Sequence, residues 1–292
     1  MSERVVVGTR GSKLALAQTA KVVEKLKERY DVKIKIIKST GDIMKDRPLY
    51  EFKGSGAFVR TLEHALIRGE IDIAVHSYKD IPSKMLEGVT VSAVLERDSP
   101  CDAFIARDGS TLDEIKPNAV IGTSSLRRRA QLSLYRADLK FENIRGNVDT
   151  RLRKLREGLY DAIVLAEAGL IRLGLSVEYQ RLPIERFVPS ANQGIIAVQT
   201  RRGEEDLVLF MNHKDTWLEA EVERTVMKEL GIGCAIPAGI YAECKGKVRL
   251  IVQIIKDGKE FRVDEDLSRT DAVEEAKEIA KNLKSELGLG TD

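Results

Sequence analysis

Ile71-Asp72-Ile73-Ala74-Val75-His76-Ser77-Tyr78-Lys79-Asp80-Ile81-Pro82 is the stretch that decides how this chain reads. Its first five residues are an apolar, β-forming run, which predicts a buried strand. Ile81-Pro82 then ends regular structure, because proline has no N–H and restricts the residue before it. Lys79 and Asp80 are therefore expected just past the carboxyl end of a parallel strand. In open α/β sheets that edge is where ligands bind. A lone Lys-Asp pair is more often a solvated ion pair of little energetic value. What weighs against that reading is the recurrence of arginines at equivalent loop positions.

Upstream, residues 4–7 read as a strand and Gly8-Thr9-Arg10-Gly11-Ser12 as a turn. Ser12 suits an N-cap. A helix is expected to about Tyr30, with Leu16, Ala20, Val23, Leu26 and Tyr30 on its apolar face. Arg10 then lies at a helix N-terminus, a natural anion site. Val32, Ile34 and Ile36 alternate with Lys33 and Lys35 and predict a second strand. Residues 43–57 are polar and glycine-containing, the composition of a long, lid-like loop. A helix around Phe58, Leu62 and Leu66 leads into the opening strand, and residues 89–95 form another. This β-α-β-α-β order predicts a parallel, doubly wound sheet.

Downstream, composition changes at Asp98-Ser99-Pro100, the expected crossing into a second domain. Strands over 103–106 and 119–121 lead to Gly122-Thr123-Ser124-Ser125-Leu126-Arg127-Arg128-Arg129, a tight turn and a helix to about Tyr135. Arg127 and Arg128 in a first helical turn are locally unfavourable, since the dipole already makes that end positive. A sequence that breaks a local rule there points to an anion. A strand over 139–144 ends in Arg145-Gly146-Asn147-Val148-Asp149-Thr150-Arg151, with a helix to Arg156. Residues 161–165 read as a buried strand and 168–173 as a short helix carrying Arg172. Between Val120 and Arg156 stand eight arginines and three acidic residues. Arg127, Arg128, Arg145 and Arg151 fall at strand-to-helix turns, not along exposed helix faces. Arginine's planar fork suits carboxylate or phosphate.

Pro189-Ser190-Ala191-Asn192-Gln193-Gly194 is a loop before a strand over 195–199, which reads as the return crossing. A helix from Trp217 to Leu230 ends at Gly231-Ile232-Gly233-Cys234. Strands over 248–255 and 260–263 and a helix over 272–287 complete a small α+β domain. Read alone, Cys234 is a buried, inert thiol. The two glycines beside it permit close approach and leave a functional role open.

The length of 292 residues suggests two or three domains, and 43% hydrophobic content is enough for their cores. Lysine and arginine total 48 against 46 acidic residues, so the global charge argues against a nucleic-acid binder. Three cysteines give no disulfide framework and no zinc spacing, which points to a reducing compartment and no metal. The N-terminal apolar run is too short for an export signal, and no run approaches a membrane span. A cytoplasmic protein bound to neither membrane nor nucleic acid is expected.

In order along nearly the whole chain, these motifs resemble the porphobilinogen deaminase family. The carriers are Gly8 to Leu16, Ser39-Thr40-Gly41-Asp42, His76 to Pro82, Gly122 to Arg128, Arg145 to Leu152, and Gly233-Cys234. The resemblance implies two doubly wound domains like those of periplasmic binding proteins, facing over a cleft, and a small α+β C-terminal domain. The expected domains are 1–97 with 196–214, then 98–195, then 215–292. It also implies a dipyrromethane cofactor joined by a thioether to Cys234. Four porphobilinogens would be added head to tail with loss of ammonia, and hydrolysis would release hydroxymethylbilane. By family position Lys79, Asp80, Thr123, Ser125, Arg127, Arg128 and Arg151 would hold the cofactor. Arg10, Ser12, Arg145, Arg151 and Arg172 would bind substrate, and Asp80 would be catalytic. A monomer is implied. Two positions depart from the pattern: Ser55 stands where many relatives carry lysine, and Asn192 where glycine is usual. The alternatives are a two-domain solute-binding protein, which would need an export signal, and a single-strand nucleic-acid binder, which would need stacking aromatics.

Overall fold

The computed structural model describes residues 3–37, 56–231 and 236–288. Ser39-Thr40-Gly41-Asp42, all but the end of the expected lid loop, Ser55 and Cys234 lie outside those residues. The chain divides into two compact units, Met1–Asp98 with Ile195–Trp217, and Ser99–Gly194 with Leu218–Asp292.

The first unit holds β1 (Arg4–Thr9), α1 (Lys13–Leu26), β2 (Asp31–Ile36), α2 (Ala57–Ile67), β3 (Ile73–Ser77) and β4 (Val89–Val94). Its five-stranded sheet also takes in β10 (Ile196–Arg201), in the order β2-β1-β3-β10-β4. β1 is parallel to β2 and β3, as the alternating pattern predicts. β10 enters antiparallel, with Val198 opposite Val75, so the sheet is mixed and not wholly parallel. On one face Val22, Val23 and Leu26 pack on Val5, Val7, Ile73 and Val198. On the other, Leu62, Ala65 and Leu66 pack on Ile71, Ala74 and Val89.

Two expectations are corrected here. α1 ends at Leu26, not Tyr30, because the chain must turn to set Asp31 beside Arg4. Its buried face is Gln18, Thr19, Val22, Val23 and Leu26, and Ala20 is exposed. Two polar residues are buried because each has a partner. Gln18 Nε2 donates to Ser77 Oγ at 2.7 Å, and Thr19 Oγ1 to Thr9 Oγ1 at 2.7 Å. Ile34 and Ile36 are exposed, since β2 is an edge strand.

The second unit repeats the pattern with β5 (Asp102–Ala106), β6 (Val120–Gly122), β7 (Lys140–Glu142), β8 (Ala162–Ala166) and β9 (Gln180–Leu182), in the order β7-β6-β8-β5-β9. As β1 does in the first unit, β6 lies between two parallel neighbours, β7 and β8, and β5 lies antiparallel beyond β8 as β10 does beyond β3. Here α3 (Leu126–Tyr135), α4 (Val148–Arg156) and the short α5 (Glu167–Arg172) follow β6, β7 and β8. The rest of this unit is a small α+β domain. α6 (Lys214–Leu230) and α7 (Ala272–Glu286) bury Val222, Val226, Ala276 and Ala280 against the meander β11 (Ala238–Lys245), β12 (Lys247–Lys256) and β13 (Lys259–Leu267). β12 turns into β13 through Asp257-Gly258, both at positive φ, the tight turn that keeps strand twist. The fold class is the expected one: two doubly wound α/β sheets and a small α+β C-terminal domain.

Candidate active site

β1 and β3 are parallel neighbours, so the loops that follow them leave the same sheet edge. Arg10 follows β1. Ser12 caps α1, its Oγ accepting from Ala15 N at 3.2 Å. After β3, Tyr78–Asp80 form one turn of 3₁₀ helix. Tyr78 N donates to Ile195 O at 3.0 Å, and Ile81 N closes the turn on Tyr78 O at 3.0 Å. Tyr78 and Ile81 are buried, and Lys79 and Asp80 between them are exposed. Apolar anchors on both sides thus turn the cation and the carboxylate outward. Gln18 fixes Ser77 at the entrance to the turn. His76 is buried beneath it. Burial pushes its ring down to about 4; Gln199 opposes the shift and the charge of Arg10 adds to it. The ring is neutral at physiological pH.

In the second unit β7, β6 and β8 are parallel, and their following loops share an edge likewise. Thr123 and Ser125 build the first of these turns. Thr123 Oγ1 accepts from Ser125 N at 3.2 Å, and Ser125 Oγ caps α3 by accepting from Arg128 N at 3.4 Å. Ser124 Oγ ties this loop to the next through Ile144 O at 2.8 Å. Gly146 makes the second turn at φ +112, where an added Cβ would lie 2.7 Å from Thr150 Cγ2. Arg151 Nε then reaches back to Gly146 O at 2.8 Å. Arg172 Nη2 donates to Gly194 O at 2.6 Å.

The anion that Arg127 and Arg128 meet is Asp102, at the first position of β5. Asp102 Oδ2 accepts from Arg127 Nη2 at 2.8 Å, and Oδ1 from Arg128 Nη2 at 2.7 Å. Burial opposes the charge on Asp102, yet both guanidiniums overcome it and hold the carboxyl far below its usual range. Arg127 Nη1 also donates to Gln131 Oε1 and Val188 O, and Arg128 Nη1 to Val164 O. Both Nε atoms are buried and meet no acceptor among the described residues. Arg151 is different. Burial, then the like charges of Arg128 and Arg145, push it down, and no carboxylate is among the causes. Arg128, Arg145 and Arg151 are close enough for their like charges to act on one another.

Each sequence-predicted group among the described residues therefore sits at the carboxyl edge of its own sheet: Arg10, Ser12, Lys79 and Asp80 in one unit, Thr123, Ser125, Arg127, Arg128, Arg145, Arg151 and Arg172 in the other. Sequence reasoning gave no role to Asp102, Gln18 or Gln193. The available signal for Asp102 was an acid opening an apolar strand, Asp102-Ala103-Phe104-Ile105. Among the described residues no group of three or more His, Cys, Asp or Glu could hold a metal ion, and no helix is long and apolar enough to cross a membrane.

Doubly wound sheets whose carboxyl edges carry arginines in one unit and an exposed Lys-Asp turn in the other are those of an α/β protein suited to an anionic ligand. Residues 5–208 match the family model described as "Porphobilinogen deaminase, dipyromethane cofactor binding domain", and residues 217–288 match "Porphobilinogen deaminase, C-terminal domain". A "probable porphobilinogen deaminase" of Archaeoglobus fulgidus is 67% identical, over 97% of this chain and 99% of its own. A porphobilinogen deaminase of Syntrophomonas wolfei is 41% identical, over 97% of this chain and 95% of its own. The chain belongs to the porphobilinogen deaminase family and is an enzyme of the transferase class. Among solved structures, an arginine-specific periplasmic binding protein of Salmonella typhimurium is 10% identical, covers 74% of this chain and 94% of its own, and gives a TM-score of 0.42.

The residues present fit the dipyrromethane that the family domain binds. Such a group carries several carboxylates, and the cluster of Arg128, Arg145 and Arg151 offers the matching charge. The buried Nε donors of Arg127 and Arg128 suit the same chemistry.

Proposed function

We propose that this chain is a hydroxymethylbilane synthase. It joins four porphobilinogens head to tail on a dipyrromethane bound by a thioether to Cys234, and releases the linear tetrapyrrole by hydrolysis. The bound dipyrromethane supplies the pyrrole carbon to which the first substrate is joined. The observation that carries this reading is the gathering of Arg128, Arg145 and Arg151 at the strand-to-helix turns of one sheet edge, suited to a polycarboxylate.

The residues divide the work. Arg127, Arg128 and Arg151, with Thr123, Ser125 and Lys79, hold the cofactor's acids. Arg10, Ser12, Arg145, Arg151 and Arg172 bind the acetate and propionate of incoming porphobilinogen. Loss of ammonia breaks the aminomethyl C–N bond of porphobilinogen and leaves positive charge shared with the pyrrole N–H. The Asp80 carboxylate stabilises that charge as it develops. Asp80 also manages the proton that leaves the coupled pyrrole carbon once the new C–C bond has formed. Three domains, at 1–97 with 196–214, 98–195 and 215–292, a monomeric state and a cytoplasmic location complete the reading.

The test is turnover. The parent protein should release one ammonia for each porphobilinogen consumed. Asp80→Asn should stay folded and lose roughly a hundredfold or more in rate, the scale of one electrostatic stabiliser. Near-parental turnover by that variant would remove Asp80 from catalysis. A parent that consumes no porphobilinogen would overturn the function itself.

A further inference from the structure

Asp102 is 1% exposed and receives donors from two separate segments. Arg127 and Arg128 come from the first turn of α3, at 2.8 and 2.7 Å. Gln193 Nε2 comes from the loop before β10, at 2.8 Å, and also donates to Pro100 O at 2.7 Å. Its two oxygens therefore hold two like-charged forks side by side at a helix end that already repels cations. Among the described residues the other acceptors of Arg127 and Arg128 are neutral: the Gln131 side chain and the carbonyls of Val188 and Val164.

We propose that Asp102 is a positioning residue for recognition of the ligand's carboxylates. By accepting one Nη2 from each guanidinium it sets the plane of both forks and fixes the charge of Arg128 beside Arg145 and Arg151, the pair that binds incoming porphobilinogen, so that its loss disturbs both the cofactor's grip and KM for substrate. One carboxylate against two guanidiniums leaves the pair with a net positive charge, so the site is ordered without being neutralised. Gln193 locks the Oδ1 side, so that the carboxylate cannot follow an arginine drawn toward a ligand. This inference rests on the reading that the arginine cluster binds pyrrole carboxylates.

The experiment compares the full-length parent with Asp102→Asn and Asp102→Glu. It measures thermal unfolding, the fraction carrying the dipyrromethane mass, and kcat and KM for porphobilinogen per adduct-bearing molecule. Loss of a charged hydrogen-bond partner should raise KM about tenfold in Asp102→Asn and leave kcat within about threefold. The adduct-bearing fraction should fall as well. Asp102→Glu keeps the counter-charge and displaces it by one methylene. It should fold and raise KM less, and it decides the matter if Asp102→Asn is insoluble. A merely structural role would lower the unfolding temperature and the active fraction with KM unchanged. KM within twofold of the parent in whichever variant folds would overturn the proposal. If the parent turns over porphobilinogen normally in that case, only the role of Asp102 fails. A parent without turnover or adduct defeats the functional reading instead.

Discussion

His76 is buried and neutral, and that state has a cost under acid. Its ordinary value is 6.5 and its folded value is about 4. Between those two values the unfolded ring takes up a proton that the folded ring refuses, so stability falls as pH drops from 6.5 towards 4. The loss from this group approaches roughly 3 kcal/mol and is complete once the folded ring titrates. Urea unfolding at pH 7 and pH 4.5 should therefore show a smaller acid loss for His76→Gln than for the parent; equal losses would contradict the assignment. Asn192 makes a different point. It sits at φ +61, the left-handed region that glycine enters freely, and both polar atoms of its amide are buried without a partner among the described residues. Asn192→Gly should be no less stable than the parent. Asn192→Ala keeps the backbone strain and should be less stable than Asn192→Gly by about 1 kcal/mol in thermal unfolding. Equal stability of the two would contradict that account of the turn. Such residues were only half legible. The departure at Asn192 could be seen in the sequence, but its dihedral and its stranded amide belong to the tertiary fold.

Elements with strong periodicity and caps were the legible ones. The helix from Leu126 to Tyr135 follows from its serine cap, and within the chain the misplaced charge of Arg127 and Arg128 meets the carboxylate of Asp102. That the first such anion is Asp102 could not be read, because the partners are some 25 positions apart and meet only when β5 enters the sheet beside β8. α1 misled for a related reason. Apolar periodicity cannot anticipate that Gln18 and Thr19 are buried through bonds to Ser77 and Thr9. β11 escaped notice because Gly239 and Ala242 weaken its strand pattern. Yet Gly239 is what lets β11 lie against the loop carrying Val188: an added Cβ would stand 2.4 Å from the Val188 carbonyl oxygen. Gly239→Ala should cost about 2 kcal/mol or more, since a backbone atom cannot step aside as a side chain can. Chemical denaturation measures this, and an unchanged midpoint would show that the strand relaxes freely.

On the scale of the whole molecule, one strand order is used twice, and each copy presents charged loops at the carboxyl edge of its parallel strands. The global charge is near zero, yet residues 120–156 hold eight arginines against three acids, so the second unit carries a local excess of cations. Substrate binding should accordingly weaken with salt. KM for porphobilinogen should rise several-fold between about 0.01 and 1 M ionic strength, as the Debye length falls from about 30 to 3 Å, with little change in kcat. A KM indifferent to salt would argue against carboxylate recognition by these arginines. The central claim is that the chain carries a covalent dipyrromethane on Cys234. Intact mass spectrometry of the purified active protein tests it most directly. The account predicts an excess of one dipyrromethane unit over the bare chain, lost in Cys234→Ser; an active parent whose mass equals that of the bare chain would contradict it.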